Sequence, residues 1–566
     1  MNLKRKELSS LRMELEELTY RAPKEWRETT KLFSLHPPIP RNTKRIDFDI
    51  YDFEMLFNDI KTNQLIRTGQ TIGCFYIESP GMRALLRKLD VHDFEMLTAA
   101  SSIIRPGVAE SGMMQEFIAR HKDPAKRKYF IPEMQKVLSE TYGVMIYQED
   151  VIKVAHHIAG LTLEESDLLR RAMSGKLRSH ATMQKLTENY FSSCKRKGLT
   201  DKQADELWRQ IESFAGYAFC KAHSASFALL SYQVAFLKSH YPAEFMANVL
   251  SNGGGFYSAA VYIWECKRLG LKILLPSINK SNYGYTGRND EIQIGLMAIK
   301  NLSANSCHII VDERKRNGEY HSLADFLIRT KLGFEETSIL IKCGAMGCLK
   351  KTRPELLRLL DIYIHKRKIL IENYNDLFLH ETFLLENEVR TNVNFSVEEI
   401  CKAEYQTFDY MVTRHPLYFY RDETEKPDIV KARDLEKHRG KNVKLIGWYM
   451  TSKRIKTRKG EIMKFLSLED RTGTFEAVIF PREYEKYAEQ TISMGPYVIV
   501  GKVDKNDATN VVVSSLSILS FASVKVADQK DSVDNKYFGD IEKVSEDDFT
   551  LLEGIDKEKL RLAYAG

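Results

Sequence analysis

The sequence predicts a multidomain, mainly α-helical protein that is followed by a small all-β barrel. A chain of 566 residues has room for roughly three or four domains. Apolar residues at helical spacing dominate residues 50–275, whereas strand-like alternation begins at Lys441. The hydrophobic content of 43% and the charged content of 28% are typical of a globular protein, which argues against a largely disordered chain.

Cap and stop residues indicate where helices begin and end in the first part of the chain. Ser79 followed by Pro80 predicts a helix start, because serine is a favoured cap and proline fits the first helical position. Thr162 and Glu165 have the spacing of a capping box. A later pair of helices is expected to finish before Pro242.

The remainder of the chain divides by composition. The stretch from "EIQIG" to "LLDIY", residues 291–363, has the pattern of short helices joined by tight turns. Residues 365–435 are charged and aperiodic, as expected of a connecting region. In "NVKLIGWYM", Val443, Leu445, Gly447 and Tyr449 share one face of a predicted strand. Five such runs suit a small closed barrel of the oligonucleotide-binding (OB) type.

Several protein classes are disfavoured. No apolar run approaches the roughly 20 residues of a membrane span, and the charged start "MNLKRKELSS" lacks a secretory core, so we expect a cytoplasmic protein without a membrane partner. The eight cysteines form no CxxC pair, which favours free buried thiols over a zinc site. A net charge of +7 is only weak evidence for an anionic partner.

One group of cations follows a predicted helix in "DLLRRAMSGKLRSH". Arg170, Arg171 and Lys176 lie near its end. Guanidinium groups offer paired donors that match phosphate oxygens, so this group can surround a polyphosphate. The alternative is that the cations only complement the negative end of the helix dipole.

A second group lies in "FAGYAFCKAHSASFALL". Lys221 and His223 follow Tyr217 in the first turns of a predicted helix, whose amino terminus favours phosphate. Tyr217 and Phe227 offer aromatic faces to a base. The alternative is a buried helix whose polar residues satisfy neighbouring loops.

Several long stretches in one order resemble a known family. They are "GCFYIESPGMRALL", "SSIIRPGVAESGMM", "YGVMIYQEDVIKVAHHIAGLTLEESDLLRRAMSGK", "FAGYAFCKAHSASFALLSYQVAFLKSHYPAEFMANVL" and "RLGLKILLPSINKS". Together they resemble the alpha subunits of bacterial DNA polymerase III, the C-family DNA polymerases, over residues 65–520.

The resemblance implies a function for each part of the chain. The implied parts are an amino-terminal extension or palm remnant (1–49), polymerase fingers (50–285), a tandem helix-hairpin-helix module that grips duplex DNA (286–364), a linker (365–440), an OB domain (441–520) and a polar tail (521–566).

The resemblance also implies site residues. Those expected to contact an incoming deoxynucleoside triphosphate are Arg170, Arg171, Lys176, Tyr217, Lys221, His223 and Ser224, with the arginines opposite the second group. Those expected to contact DNA are Lys300, Gly344 and Gly347 in the hairpins and Lys453 and Arg454 in the barrel.

The sequence departs from the family in its first residues. Family polymerases use palm carboxylates that hold Mg²⁺ ions, and residues 1–49 are too few for a palm. Asp47 and Asp49 form the one candidate pair there, and we expect them to be ordinary solvated acids. The Mg²⁺ ligands are therefore expected on another polypeptide, or the gene is truncated.

Two further departures concern DNA and clamp binding. Asn301 and Ser303 stand where the family's first hairpin has glycines, so that hairpin is expected to grip DNA less well. "YNDLF" retains Leu377 and Phe378 of the family's sliding-clamp peptide but has Tyr374 instead of glutamine. This segment is a degenerate clamp contact or an ordinary amphipathic turn.

Two hypotheses follow. In the first, the chain is part of a DNA-directed DNA polymerase that binds primed DNA and deoxynucleoside triphosphates, together with the sliding clamp, other polymerase III subunits or a palm-bearing polypeptide. In the second, it is a non-catalytic DNA-binding accessory protein of replication or repair that is derived from such a polymerase.

Overall fold

The structure is a computed structural model. The residues that it describes are 48–104, 112–173, 180–215, 220–365, 389–391, 393–457 and 459–519. The chain divides into two compact units, Met1–Leu56 and Phe57–Gly566. In the first unit, Asp49 Oδ1 accepts a hydrogen bond from the Tyr51 backbone N–H at 2.9 Å, whereas Asp47 lies outside the described residues.

Helices dominate the chain up to residue 268. In chain order they are α1 (Phe53–Asn58), α2 (Ile60–Arg67), α3 (Pro80–Leu89), α4 (Phe94–Ile103), α5 (Met113–Lys122), α6 (Met134–Val137), α7 (Gln148–His157), α8 (Leu163–Met173), α9 (His180–Arg196), α10 (Asp201–Ala215), α11 (Lys221–His240), α12 (Pro242–Asn252) and α13 (Ala259–Arg268). None of the helices within the described ranges has the length and apolar character needed to cross a membrane.

The predicted helix starts are confirmed. Ser79 Oγ accepts from the Met82 N–H ahead of α3. Thr162 and Glu165 exchange two hydrogen bonds of 2.8 and 3.2 Å, which complete the predicted capping box. Helix α11 ends at His240, and Pro242 begins α12.

A small sheet and four helices follow. The strands β1 (Lys272–Leu274), β2 (Thr286–Arg288) and β3 (Glu291–Gln293) form a sheet in the order β1-β3-β2, parallel and then antiparallel. The helices are α14 (Ala304–Asn317), α15 (Leu323–Thr330), α16 (Phe334–Lys342) and α17 (Arg353–His365). Their buried side chains form one continuous apolar core with α12 and α13.

The segment before the barrel has more regular structure than its composition indicates. It contains α18 (Val397–Phe408) and the short α19 (Arg421–Thr424). Phe408 and Tyr410 are buried in the core that α12 to α17 share. The charged, aperiodic sequence concealed this packing because only a few apolar residues anchor the segment.

The predicted five-stranded barrel is confirmed. Strands β4 (Asn442–Lys456), β5 (Ile462–Glu469), β6 (Thr474–Ile479), β7 (Tyr497–Val503) and β8 (Asn510–Ile518) close in the order β4-β5-β6-β8-β7, and α20 (Pro481–Tyr487) lies between β6 and β7. Each strand contributes a fully buried side chain, namely Leu445, Leu466, Ala477, Ile499 and Val511. Gly447 faces inward, where an added Cβ would lie 2.8 Å from Leu468 Cβ.

A buried chain of charges connects α11, α13 and the barrel. Lys238 Nζ, near the end of α11, donates to Gln70 O at 2.8 Å, to Ile72 O at 2.7 Å and to Glu265 Oε1 at 2.7 Å. All three donors of its ammonium group are thereby satisfied. Burial acts to raise the pKa of Glu265, but attraction to Lys238 and Arg268 outweighs it and lowers that pKa to about 2.

Arg268 extends this chain to the barrel. Its Nε lies 3.2 Å from Glu265 Oε2 and its Nη1 lies 2.7 Å from Glu469 Oε2, at the end of β5. Burial raises the pKa of Glu469 to about 7, although Arg268 opposes the shift. A second contact of the same barrel end joins α3, since Arg87 Nη2 donates to Thr509 Oγ1 at 2.7 Å.

His415 is buried beside Glu469. Its Nδ1 accepts from the Leu417 N–H at 3.1 Å, its ring lies 4.5 Å from that of Trp264, and its Nε2 lies 3.9 Å from Glu469 Oε1. Burial and repulsion from Arg268 lower the pKa of His415 to about 3. The imidazole is therefore neutral at physiological pH.

Removing the ammonium group of Lys238 should destabilise the protein strongly. The substitution Lys238→Met leaves two buried carbonyl groups and one oxygen of the Glu265 carboxylate without their donor, so we expect the free energy of unfolding to fall by about 3–5 kcal/mol. Lys272→Met is the matched control, because the Lys272–Glu291 pair is 68% and 49% exposed and should contribute less than about 1 kcal/mol. Urea denaturation followed by tryptophan fluorescence measures both changes, and equal effects would contradict the structure.

Because the folded chain keeps His415 neutral, acidic pH should destabilise the protein. Between pH 6.5 and about 3 the unfolded chain binds a proton at this residue and the folded chain does not, so stability falls as pH falls. His415→Asn keeps an acceptor for the Leu417 N–H but removes the titration. Relative to wild type, its free energy of unfolding should rise by about 1.4 kcal/mol for each pH unit below 6.5.

This comparison isolates His415, because Glu469 is present in both proteins. Glu469 acts in the opposite sense, stabilising the folded chain as pH falls from about 7 towards 4.5. The exposed His92 provides the control substitution His92→Asn. A difference between His415→Asn and wild type that does not vary with pH would contradict the buried neutral imidazole.

Candidate functional site

The first turn of α7 lies where the two predicted groups of cations meet. Asp150 fixes this turn, since its Oδ2 accepts from the Ile146 and Tyr147 N–H groups, both at 2.9 Å. Burial raises the pKa of Asp150 to about 6. The side chains of Gln148 and Glu149, the first two residues of α7, then reach towards α8 and α11 respectively.

The arginine pair at the end of α8 is held by an acid of the same helix. Arg170 donates through Nε and Nη2 to Asp167 Oδ1, at 2.9 and 2.8 Å, and through Nη1 to Gln148 Oε1 at 3.0 Å. Arg171 Nε lies 2.7 Å from Asp167 Oδ2. The hydrogen bond from Arg170 is the main reason that the pKa of Asp167 is lowered.

Lys221 begins α11 on the other side of α7. Its backbone N–H donates to Glu149 Oε2 at 2.9 Å, and its Nζ lies 2.7 Å from Glu140 Oε2. The hydrogen bond from Lys221 lowers the pKa of Glu140. Arg170 and Lys221 thus contact consecutive residues of one helix turn, which brings the two predicted groups together.

An aromatic cluster continues from Lys221 along α11. The His223 ring lies 4.2 Å from that of Phe227, which in turn lies 4.8 Å from Tyr76 and 5.4 Å from Phe75. Phe75 remains 43% exposed. The cluster presents ring faces or edges on which a planar group can stack.

The remaining predicted nucleotide contacts are placed differently. Ser224 is fully buried, and its Oγ lies 2.6 Å from Ser102 Oγ, so its side chain joins α11 to α4. Lys176 and Tyr217 lie outside the described residues. The structure therefore brings Arg170 and Lys221 to the first turn of α7, with Arg171 and His223 near them on α8 and α11, and leaves the hydroxyl of Ser224 inside.

The cations at this site can exchange partners. The side chains of Arg171 and Lys221 are 61% and 49% exposed. Exposed ion pairs contribute only about 0–1 kcal/mol, so a polyphosphate with several negative charges can replace carboxylates as their partner. Without such a ligand, Asp167 pairs with the two arginines and Glu140 pairs with Lys221, and both carboxylates compensate the positive charge.

The predicted DNA contacts are distributed over the hairpins and the barrel. Gly344 has φ +88°, and a Cβ there would lie 2.5 Å from Arg353 Nη2, so the turn requires glycine. Gly347 is open, with no atom within 4 Å of an added Cβ. Lys453 is exposed and Arg454 half-buried on β4, while Lys300 forms an ion pair with Asp409.

The described residues contain no group of three or more histidine, cysteine, aspartate or glutamate side chains that is arranged to hold a metal ion. The predicted clamp residues Leu377 and Phe378 lie outside those residues.

Sequence reasoning did not identify the acceptors at the site. Asp167 precedes the arginines by three and four residues, a spacing that places all three on one helix face and could have been noticed. Gln148 and Glu149 carry no such signal, because their contacts with Arg170 and Lys221 depend on tertiary packing.

Comparisons with known proteins indicate the class of protein to which this chain is similar. Residues 38–198 match the family model described as "Bacterial DNA polymerase III alpha subunit finger domain", and residues 270–356 match one described as "Helix-hairpin-helix motif". The candidate cations Arg170 and Arg171 fall within the first match, and Lys300, Gly344 and Gly347 fall within the second.

Curated relatives extend the similarity over most of the chain. The DNA polymerase III subunit alpha of Aquifex aeolicus (strain VF5) is 33% identical over 471 residues, which are 82% of this chain and 39% of that protein. The DNA polymerase III subunit alpha of Staphylococcus aureus (strain MSSA476) is 30% identical over 499 residues, which are 87% of this chain and 46% of that protein.

Over most of its length the chain is therefore similar to a portion of the bacterial DNA polymerase III alpha subunits. It spans less than half the length of these curated relatives. The resemblance expected from the sequence motifs, and the helical and OB-barrel fold class, are confirmed.

Proposed function

We propose that this chain binds an incoming deoxynucleoside triphosphate and primed DNA as part of a DNA-directed DNA polymerase. One observation carries the proposal: the guanidinium of Arg170 and the backbone N–H of Lys221, from separate helices, contact the adjacent side chains of Gln148 and Glu149. Two helix ends that each carry a cation and meet at one helix turn are suited to a triphosphate, which must be positioned before phosphoryl transfer.

The residues have distinct roles in this proposal. Arg170 and Arg171 exchange Asp167 for phosphate oxygens, which their planar groups bind through paired hydrogen bonds. Lys221 supplies a point charge at the amino terminus of α11, where the helix dipole also favours an anion. The His223–Phe227 pair stacks against the base or sugar.

DNA is held by the other two parts of the chain. The open Gly347 lets a DNA backbone approach the second hairpin closely, and the exposed Lys453 of β4 attracts single-stranded template. The proposed domain limits are those given by the sequence: fingers at 50–285, hairpins at 286–364 and the OB domain at 441–520. The sliding clamp, other polymerase III subunits and a palm-bearing polypeptide are the proposed protein partners.

The reaction of such a polymerase uses divalent metal ions, here proposed to be Mg²⁺, to activate the primer hydroxyl and to neutralise the leaving pyrophosphate. The described residues do not provide a cluster of acids for these ions. The proposed contribution of the described residues is therefore to bind and orient the triphosphate and the primed template.

Charge reversal at the arginine pair should abolish nucleotide-dependent tightening on DNA. Wild type should bind a fluorescent primed hairpin more tightly when the complementary deoxynucleoside triphosphate is added, as measured by anisotropy. In Arg170→Glu/Arg171→Glu, phosphate oxygens meet carboxylates instead of guanidinium groups. We therefore expect at least a roughly tenfold loss of the nucleotide effect.

The double variant Arg196→Glu/Arg209→Glu is the matched control, since it makes the same change in net charge at exposed arginines of α9 and α10. It should weaken DNA binding in general while keeping the nucleotide effect. If wild-type affinity does not respond to the nucleotide, the polymerase proposal fails and a DNA-binding accessory protein becomes the better interpretation.

A further inference from the structure

The first hairpin, residues 295–303, contains the short 3₁₀ turn Leu296–Ala298 and leads into α14. It differs from the second hairpin in how its polar groups are used. Its backbone keeps a glycine-like turn without glycine: Asn301 has φ +61°, a left-handed conformation that asparagine tolerates. The departure at Asn301 therefore leaves the turn intact. The difference lies in the amino terminus of α14 and the ammonium of Lys300, which are paired with carboxylates of the same protein.

An internal carboxylate occupies the amino terminus of α14. Ser303 caps this helix, with its Oγ accepting from the Ser306 N–H at 3.0 Å. Glu336, in the first turn of α16, accepts from the Ser303 N–H at 3.1 Å through Oε1, and both of its oxygens lie 2.8 Å from Ser306 Oγ. The carboxylate stands where a helix amino terminus would otherwise attract a phosphate.

A second acid holds the lysine of the same hairpin. Lys300 Nζ forms an ion pair with Asp409, which is the left-handed residue that ends α18. The Lys300 backbone N–H donates to Thr407 O at 2.9 Å, so the hairpin is tied to the end of α18 twice. Because the side chains of the pair are 49% and 62% exposed, the ion pair is weak enough to be displaced.

We propose that Glu336 and Asp409 are internal competitors for duplex DNA at the first hairpin. Each carboxylate occupies a group that a backbone phosphate would use: Glu336 the amino terminus of α14, and Asp409 the ammonium of Lys300. The polar groups of the hairpin are thereby paired within the protein, and duplex DNA must displace both carboxylates to bind there. This inference rests on the proposed binding of primed DNA.

Two isosteric substitutions remove the negative charge of each competing carboxylate while keeping an oxygen that accepts hydrogen bonds. The amide oxygen of Glu336→Gln still accepts from Ser303 and Ser306, and Asp409→Asn keeps a residue that tolerates the left-handed φ of 65°. Glu335→Gln and Asp312→Asn are the matched controls. They change net charge equally at the exposed neighbour of Glu336 and at an acid of α14 that lies 3.6 Å from Lys315.

Affinity for a blunt DNA duplex, measured by anisotropy across a salt series, tests the proposal. Glu336→Gln should bind duplex roughly three- to tenfold more tightly than wild type, with a salt dependence that corresponds to about one additional phosphate contact. Asp409→Asn should show a smaller gain, and the double variant the largest. The controls should stay within about twofold of wild type.

Equal affinities for the test and control variants, together with DNA binding by wild type, would overturn the internal competition and leave the proposed function intact. Duplex binding by the double variant alone would support the competition. Failure of every protein to bind DNA would overturn the inference and the proposed DNA binding together. Circular dichroism and a melting curve for each variant confirm that the compared proteins are folded.

Discussion

The anchoring of Lys238 is the interaction on which the rest of the structure depends. Helix α11 has 20 residues and is therefore about 30 Å long. Lys221 and His223 lie at its exposed beginning, and Lys238 lies near its buried end. Because Lys238 satisfies all its donors on Gln70, Ile72 and Glu265, the direction of the helix is fixed. The positions of Lys221 and His223 in the proposed nucleotide site therefore depend on the contacts of Lys238 at the other end of the helix.

The same anchor relates the helical part to the barrel. Glu265 binds Lys238 with one oxygen and Arg268 with the other, and Arg268 continues to Glu469 of β5. A buried charge is costly unless it is paired and hydrogen-bonded, so these groups restrict how the barrel can sit against α13. In the proposed function, the barrel that contacts template and the helices that contact nucleotide share one rigid connection.

Acidic residues have a common role at the proposed binding surfaces. Asp167 and Glu140 hold cations around the start of α7, and Glu336 and Asp409 hold the polar groups of the first hairpin. In each place a carboxylate compensates positive charge in the absence of nucleic acid. The exposed pairs exchange readily with phosphate, whereas the backbone contacts of Glu336 make exchange at the first hairpin more demanding.

Local features of the fold followed from the sequence, and long-range ones did not. The capping box of Thr162 and Glu165 and the inward face of β4 are encoded by neighbours in the chain, which makes them predictable. Arg268 and Glu469 are about two hundred residues apart in the chain, and no periodicity links them. Ser224 illustrates the same limit within the site, because its pattern placed it on α11 but could not show that it faces Ser102.

In the proposed function, the end of α8 and the start of α11 form one triphosphate site. Hydrogen–deuterium exchange of the chain on primed DNA, with and without the complementary deoxynucleoside triphosphate, measures it most directly. If the two helix ends form one site, nucleotide should slow exchange at the start of α11, in the first turn of α7 and at the end of α8. All three segments should become protected over the same range of nucleotide concentration. Protection of only one helix end, or protection confined to the hairpins or the barrel, would contradict it.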